Sequence, residues 1–186
     1  MPAQANLKST AITNLDATPP VRPTAGGEGG SSVLYSIIGI AGPTTDGATT
    51  GGVLRMVRLP SNAIVQKVSY CQKAATTTAN FSFGLYYSDT ADGTSPPNVA
   101  GTATAIMSTM FGSAVDTHAA TTWVDTTFAN TSGFLPTDTV LPLWKAANST
   151  LTADPGGFID IGALNTATIS GAATLLLRVE YVIAAQ

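Results

Sequence analysis

Apolar residues recur at every second position in the chain's most regular segments, the period of a β-strand whose alternate side chains face a core. The clearest case is TLLLRVEYVI, where Leu175, Leu177, Val179, Tyr181 and Ile183 fall on one face and Leu176, Arg178, Glu180 and Val182 on the other. The first set is expected to point inward. FSFGLYY follows the same rule, with Phe81, Phe83, Leu85 and Tyr87 on one side and Ser82, Gly84 and Tyr86 opposite. Ile64, Val68 and Tyr70, interrupted by Gln66, form a third stripe. Shorter apolar runs at 33–40, 53–59, 105–111, 122–128, 140–144 and 158–163 bring the expected number of strands to about nine.

Turn chemistry separates these runs. Gly42-Pro43, Gly51-Gly52, Pro60-Ser61-Asn62, Asp92-Gly93, Pro96-Pro97 and Asp154-Pro155-Gly156-Gly157 all favour reversals, and the short connections favour antiparallel pairing. No intervening segment has the length and period for repeated βαβ crossovers, although 143–149 fits one or two helical turns. The expected fold is therefore all-β, an antiparallel β-sandwich of jelly-roll type. No internal repeat of the solenoid or propeller kind is visible.

The first 32 residues break this pattern. They contain few large apolar side chains, prolines at 19, 20 and 23, and the run Gly26-Gly27-Glu28-Gly29-Gly30-Ser31-Ser32. Such a segment cannot bury enough apolar area to fold alone, so residues 1–32 are expected to form an extended arm and 33–186 a single sandwich domain. The isolated Leu7, Ile12, Leu15 and Val21 are the arm's candidate anchors on a partner.

Composition narrows the function. Charged residues are 10% of the chain against 44% hydrophobic, and threonine and alanine, about thirty of each, take up the difference. A surface poor in charge and rich in hydroxyls and methyls suits a protein packed against neighbours, because charge normally keeps soluble proteins apart. With 8 Lys plus Arg against 11 Asp plus Glu, the net charge of −3 supplies no basic field for nucleic acid. The longest apolar run is strand length, which excludes a conventional membrane span. The opening residues show no signal-peptide pattern, so synthesis in a host cytoplasm is expected.

Candidate chemistry is sparse. One histidine and one cysteine fall short of a zinc ligand set, and no Gly-x-Ser-x-Gly elbow accompanies His118 and its neighbour Asp116. His118 reads as a loop or strand-end residue, and Cys71 as a small buried hydrophobe. Asp89 and Asp92 lack the spacing and bidentate glutamate of a calcium loop and read as loop caps, as does Asp154. Asp160 and the Arg178–Glu180 pair read as solvated strand faces. No catalytic, metal or cofactor site is expected. Trp123, Trp144, Tyr86 and Tyr87 leave open an aromatic platform for sugar or protein, with Tyr86 as the outward tyrosine.

Several segments carry a family resemblance: the arm ending in GGEGGSS, then MVRLPSNAIVQKVSY leading to FSFGLYYSD, then MSTMFGSAVD, and LWKAANSTLTADPGGFIDI before TLLLRVEYVI. In this order they resemble the head decoration, or cement, proteins of tailed bacteriophages. The resemblance implies a sandwich on the outer surface of the virion capsid, present in many copies, with its arm gripping the major capsid protein or a neighbouring copy. It further implies a homo-oligomer, a trimer being one arrangement, that bridges shell subunits, with no enzymatic activity, cofactor, nucleic acid or membrane. A minor tail, fibre or vertex protein, or a carbohydrate-binding module, are the alternatives this composition leaves.

Overall fold

The computed structural model describes residues 7–8, 33–44, 50–73, 78–88, 105–118, 120–169 and 173–183. Its strands are β1 (Leu7–Lys8), β2 (Tyr35–Thr44), β3 (Val53–Pro60), β4 (Ala63–Lys73), β5 (Asn80–Tyr87), β6 (Ala105–Asp116), β7 (Val124–Asp125), β8 (Phe158–Asn165) and β9 (Ala173–Ile183). A 3-10 turn, Pro136–Val140, and one short helix, α1 (Leu143–Ala147), lie between β7 and β8. The strands form a first sheet in the order β1-β3-β8-β5-β6 and a second in the order β2-β9-β4-β7.

The pairing is nested. β2 pairs with β9, β3 with β8, β4 with β7 and β5 with β6, all antiparallel, as in one long hairpin; β4–β9 and β5–β8 pairings then roll that hairpin into two sheets. This is the eight-strand jelly roll that the period-two pattern and short turns pointed to. β1 is an addition outside the eight. It lies parallel to β3, with Leu7 opposite Leu54 and Lys8 opposite Arg55.

The core lies between the sheets. Met56, Val57, Leu59, Phe81, Phe83, Leu85, Ile159 and Ile161 enter it from the first sheet, and Val65, Val68, Tyr70, Leu175, Leu177 and Val179 from the second. Each such side chain contributes roughly 1.5–3 kcal/mol on burial. Tyr70 stacks on Phe83 across the sheets at 5.2 Å between ring centroids. Phe134, packed against Phe111 at 5.1 Å, and Leu143 of α1 extend the core from the segment joining β7 to β8.

Two bulges set which residues share a face. In β3 the register against β8 shifts between Arg55 and Val57, so Met56 is an extra residue and Arg55 and Arg58, three apart, both point away from the core. In β4 the shift falls between Val65 and Lys67, with Gln66 extra. The inward stripe is therefore Ala63, Val65, Val68 and Tyr70. Ile64, expected alongside Val68 and Tyr70, stands on the other face opposite Val182. At Gly39 of β2 an ideal Cβ would stand 2.1 Å from the Met56 carbonyl oxygen, so only glycine lets this edge of the second sheet close on the bulge of β3.

The other differences are local. Residues 140–144 are not a strand: the 3-10 turn ends at Val140 and α1 starts at Leu143, in agreement with the helical turn expected over 143–149. Pro142 donates no ladder hydrogen bond and sits as the N-cap of α1 with extended backbone. Within 122–128 only Val124 and Asp125 pair, because Asp125 accepts hydrogen bonds from both the Thr127 backbone N–H and hydroxyl and turns the chain.

Candidate functional site

Alternation along β2 places Gly39 and Ala41 in the interior and leaves Ser36, Ile38 and Ile40 exposed. Ile38 is 46% and Ile40 49% accessible, and Leu34, just before the strand, 56%. On the adjacent strands of the same outer face, Ile40 stands opposite Leu176 and Ile38 opposite Arg178 on β9, while Leu176 and Arg178 stand opposite Cys71 and Ser69 on β4. Trp123, next to β7, lies over Arg178, whose guanidinium carbon is 4.8 Å from the ring centroid. The result is an apolar outer face built from Ile38, Ile40, Leu176 and the Trp123 ring.

Four of the charges on this face are paired internally. Arg178 reaches Glu180 at 3.4 Å and Lys67 reaches Asp125 at 3.6 Å. Partial burial pushes the Asp125 carboxyl up, but the Thr127 hydrogen bonds and the Lys67 ammonium outweigh it and hold the group below the usual carboxylate range. These two pairs cancel, Lys73 stays exposed on the same side of β4, and a partner meets a sparsely charged, mainly apolar surface.

Elsewhere, chemistry does not converge. Among the described residues no three His, Cys, Asp or Glu side chains cluster to hold a metal ion. His118 follows β6, as a strand-end residue, with its ring Nδ1 2.5 Å from Asp116 Oδ1, and the His118 backbone N–H donates to the same oxygen. Those two hydrogen bonds lower the Asp116 pKa at an exposed site. The Asp116 carbonyl accepts from the Tyr70 hydroxyl at 3.4 Å, and burial followed by the Asp116 charge raises the Tyr70 pKa. Asp154 caps its turn as expected, accepting from the Gly156 N–H at 2.8 Å.

Four expectations are corrected. Tyr86 is not an outward platform: it is 1% exposed, its ring carbons lie 2.9 and 3.0 Å from where a Cβ on Gly162 would stand, and burial raises its pKa. Its hydroxyl has no hydrogen-bond partner among the described residues. Asp160 is not solvated but fully buried between two arginines. It accepts from Arg55 Nη2, from Arg58 Nε at 2.7 Å and from Arg58 Nη2 at 3.1 Å, while Arg55 Nη2 also donates to the Tyr87 carbonyl at 3.0 Å. Cys71 is half-buried on the outer face of β4 rather than in the core. Arg178 and Glu180 are likewise mostly covered, at 29% and 25% side-chain exposure.

Of the arm's candidate contacts, Leu7 is placed by its backbone beside Leu54, whereas Ile12, Leu15 and Val21, with the rest of the arm and the Asp89–Asp92 loop, lie outside the described residues. The exposed isoleucines of β2 went unread in the sequence, though a signal existed. From Val33 to Thr45 the chain carries no charged residue, which is unusual for a strand at a sheet edge.

No family model matches the chain, and no curated protein matches it in sequence. Among solved structures it is similar to a chain from "Capsid of Ralstonia phage GP4", at 16% identity and a TM-score of 0.58 over 98% of this chain and 100% of that one. A chain from "Cyanophage Pam1 capsid asymmetric unit" aligns at 17% identity and a TM-score of 0.48, over 89% of this chain and 96% of that one. At such identity the Ralstonia phage likeness is one of fold, and it extends end to end.

Proposed function

We propose that this chain is a virion structural protein that binds the outer surface of a phage capsid in many copies and stabilises the shell by bridging major capsid protein subunits. The observation that carries the reading is the end-to-end likeness to a chain of the Ralstonia phage capsid. The sparsely charged, mainly apolar face of the second sheet supports it, since it offers contact area. The uncharged composition is that of a protein whose surface is largely covered in its working state.

The mechanism is mechanical. Each copy spans neighbouring shell subunits, and repeated weak contacts around a symmetry axis add to a strong hold, because after the first contact the others form at high effective concentration. In this reading the arm supplies the grip on the shell or on a neighbouring copy through Leu7, Ile12, Leu15 and Val21, with Leu7–Lys8 tying its start to the sandwich edge beside β3. The chain is made in the host cytoplasm and ends on the capsid exterior.

Quantitative mass spectrometry of purified virions, with this chain counted against the major capsid protein, tests the role. Hundreds of copies per particle are expected. A handful would move the protein to the tail, a fibre or a vertex, and absence would refute a virion role. Deleting residues 1–32 should leave a folded sandwich that binds capsids far more weakly, and unchanged binding would remove the arm from the mechanism.

A further inference from the structure

β2 is the outermost strand of the second sheet, and among the described residues nothing pairs with its other edge. Native sheets protect such an edge with lysine, a mid-strand proline, a bulge or a covering segment, because an unpaired row of N–H and C=O groups recruits another strand. The stretch Tyr35-Ser36-Ile37-Ile38-Gly39-Ile40-Ala41 has no charge and no proline, and its register against β9 runs without a shift from Tyr35 to Ala41. Its outward side chains, Ile38 and Ile40, are about half exposed.

We infer that this edge is a homotypic contact: β2 of one copy pairs antiparallel with β2 of a second copy about a two-fold axis at Gly39, joining two four-stranded sheets into one. Charge decides the occupant. β2 carries no charge, Arg178–Glu180 and Lys67–Asp125 are paired, and the exposed Lys73 lies on β4 with β9 between it and the edge, so a second copy brings no charge to the edge itself. The sequence is also self-complementary about that axis. Ile38 of each copy stands opposite Ile40 of the other, giving two β-branched cross-strand pairs on the outer face. The side chains flanking Gly39 on the inner face, Ile37 and Ala41, remain with their own core.

The contact is independent of the virion role and is tested on the purified protein. Sedimentation velocity over a concentration series should show reversible dimerisation, lost in Ile38→Lys and in Ile40→Lys while thermal unfolding of each variant stays cooperative. In a Cys71→Ser background, Ile38→Cys with Ile40→Cys should form an intermolecular disulfide under mild oxidation, and Thr168→Cys should not. A strictly monomeric wild type, or a dimer that survives both lysine substitutions, would overturn the proposal. So would a dimer that yields no 38-to-40 crosslink.

Discussion

Asp160→Asn isolates the least conventional interaction in this molecule. The wild-type carboxylate is buried with Arg55 and Arg58 and accepts three guanidinium N–H bonds. Asparagine keeps the shape but only one acceptor oxygen; its amide N–H group must face a guanidinium N–H. One or two charge-assisted bonds are lost at roughly 1.5–3 kcal/mol each, and both arginines stay buried without this carboxylate's charge. Removing one partner of a buried ion pair costs about 3–5 kcal/mol. For a chain of this size that loss lowers Tm by roughly 6–20 °C, taking about 2–4 °C per kcal/mol. Urea and thermal unfolding at pH 7, followed by circular dichroism, measure it against Asp154→Asn. That control exchanges a carboxylate in an exposed turn that asparagine caps equally well, and should change stability by less than about 0.5 kcal/mol. If Asp160→Asn falls within about 1 kcal/mol of the control, the buried carboxylate does not hold the two arginines as described.

Gly39→Ala drives a methyl into the Met56 carbonyl oxygen and should cost about 3 kcal/mol in urea unfolding, the upper end of overpacking effects. Gly156→Ala meets no atom within 4 Å but sits at φ +80°, so it should cost about 1–2 kcal/mol from backbone strain alone; the reverse ranking would refute the steric reading. Tyr86→Phe removes a buried hydroxyl without a described partner and should leave stability unchanged or raise it by up to about 1 kcal/mol, whereas a loss above that would show the hydroxyl is bonded. Burial raises the pKa of Tyr70, Tyr86 and Tyr181, so their protonated forms favour the fold. That stability is complete below the unfolded tyrosine value near 10 and lost as pH climbs toward the folded values, so urea midpoints should hold to about pH 9 and fall beyond it.

The sandwich was legible because β2 and β9 bury alternate side chains and the turns between strands carry Gly, Pro, Asn and Asp. What parity alone could not show was the effect of a single inserted residue. Met56 and Gln66 each shift the face of everything that follows them, so Ile64 leaves the stripe of Val68, and Arg55 joins Arg58 over Asp160. A carboxylate between two isoleucines reads as solvated until the arginines opposite it are placed, and they lie over a hundred positions away. Tyr86 reads as outward for a related reason: β5 is buried on both faces, a condition that a period-two pattern cannot distinguish from a half-exposed strand. The candidate binding face was least legible, since Trp123 reaches Arg178 from a loop and exposed isoleucines read as core residues until a sheet edge is known.

The nested pairing also dictates a schedule for folding. The edge strand β2 has one partner in the described structure, β9, and β9 in turn holds β4, so the second sheet has no continuous ladder until the final described strand is in hand. A ribosome delivers β2 first and β9 last, which leaves the uncharged isoleucine strand unpaired throughout synthesis. The β5–β6 hairpin, local in sequence, can form early, and the ladders then add outward from it, each closing a longer loop than the one before. Refolding should therefore be slow, limited by closure of the β2–β9 ladder, and nascent chains stalled before residue 173 should be trapped by chaperones or aggregate through β2 rather than fold.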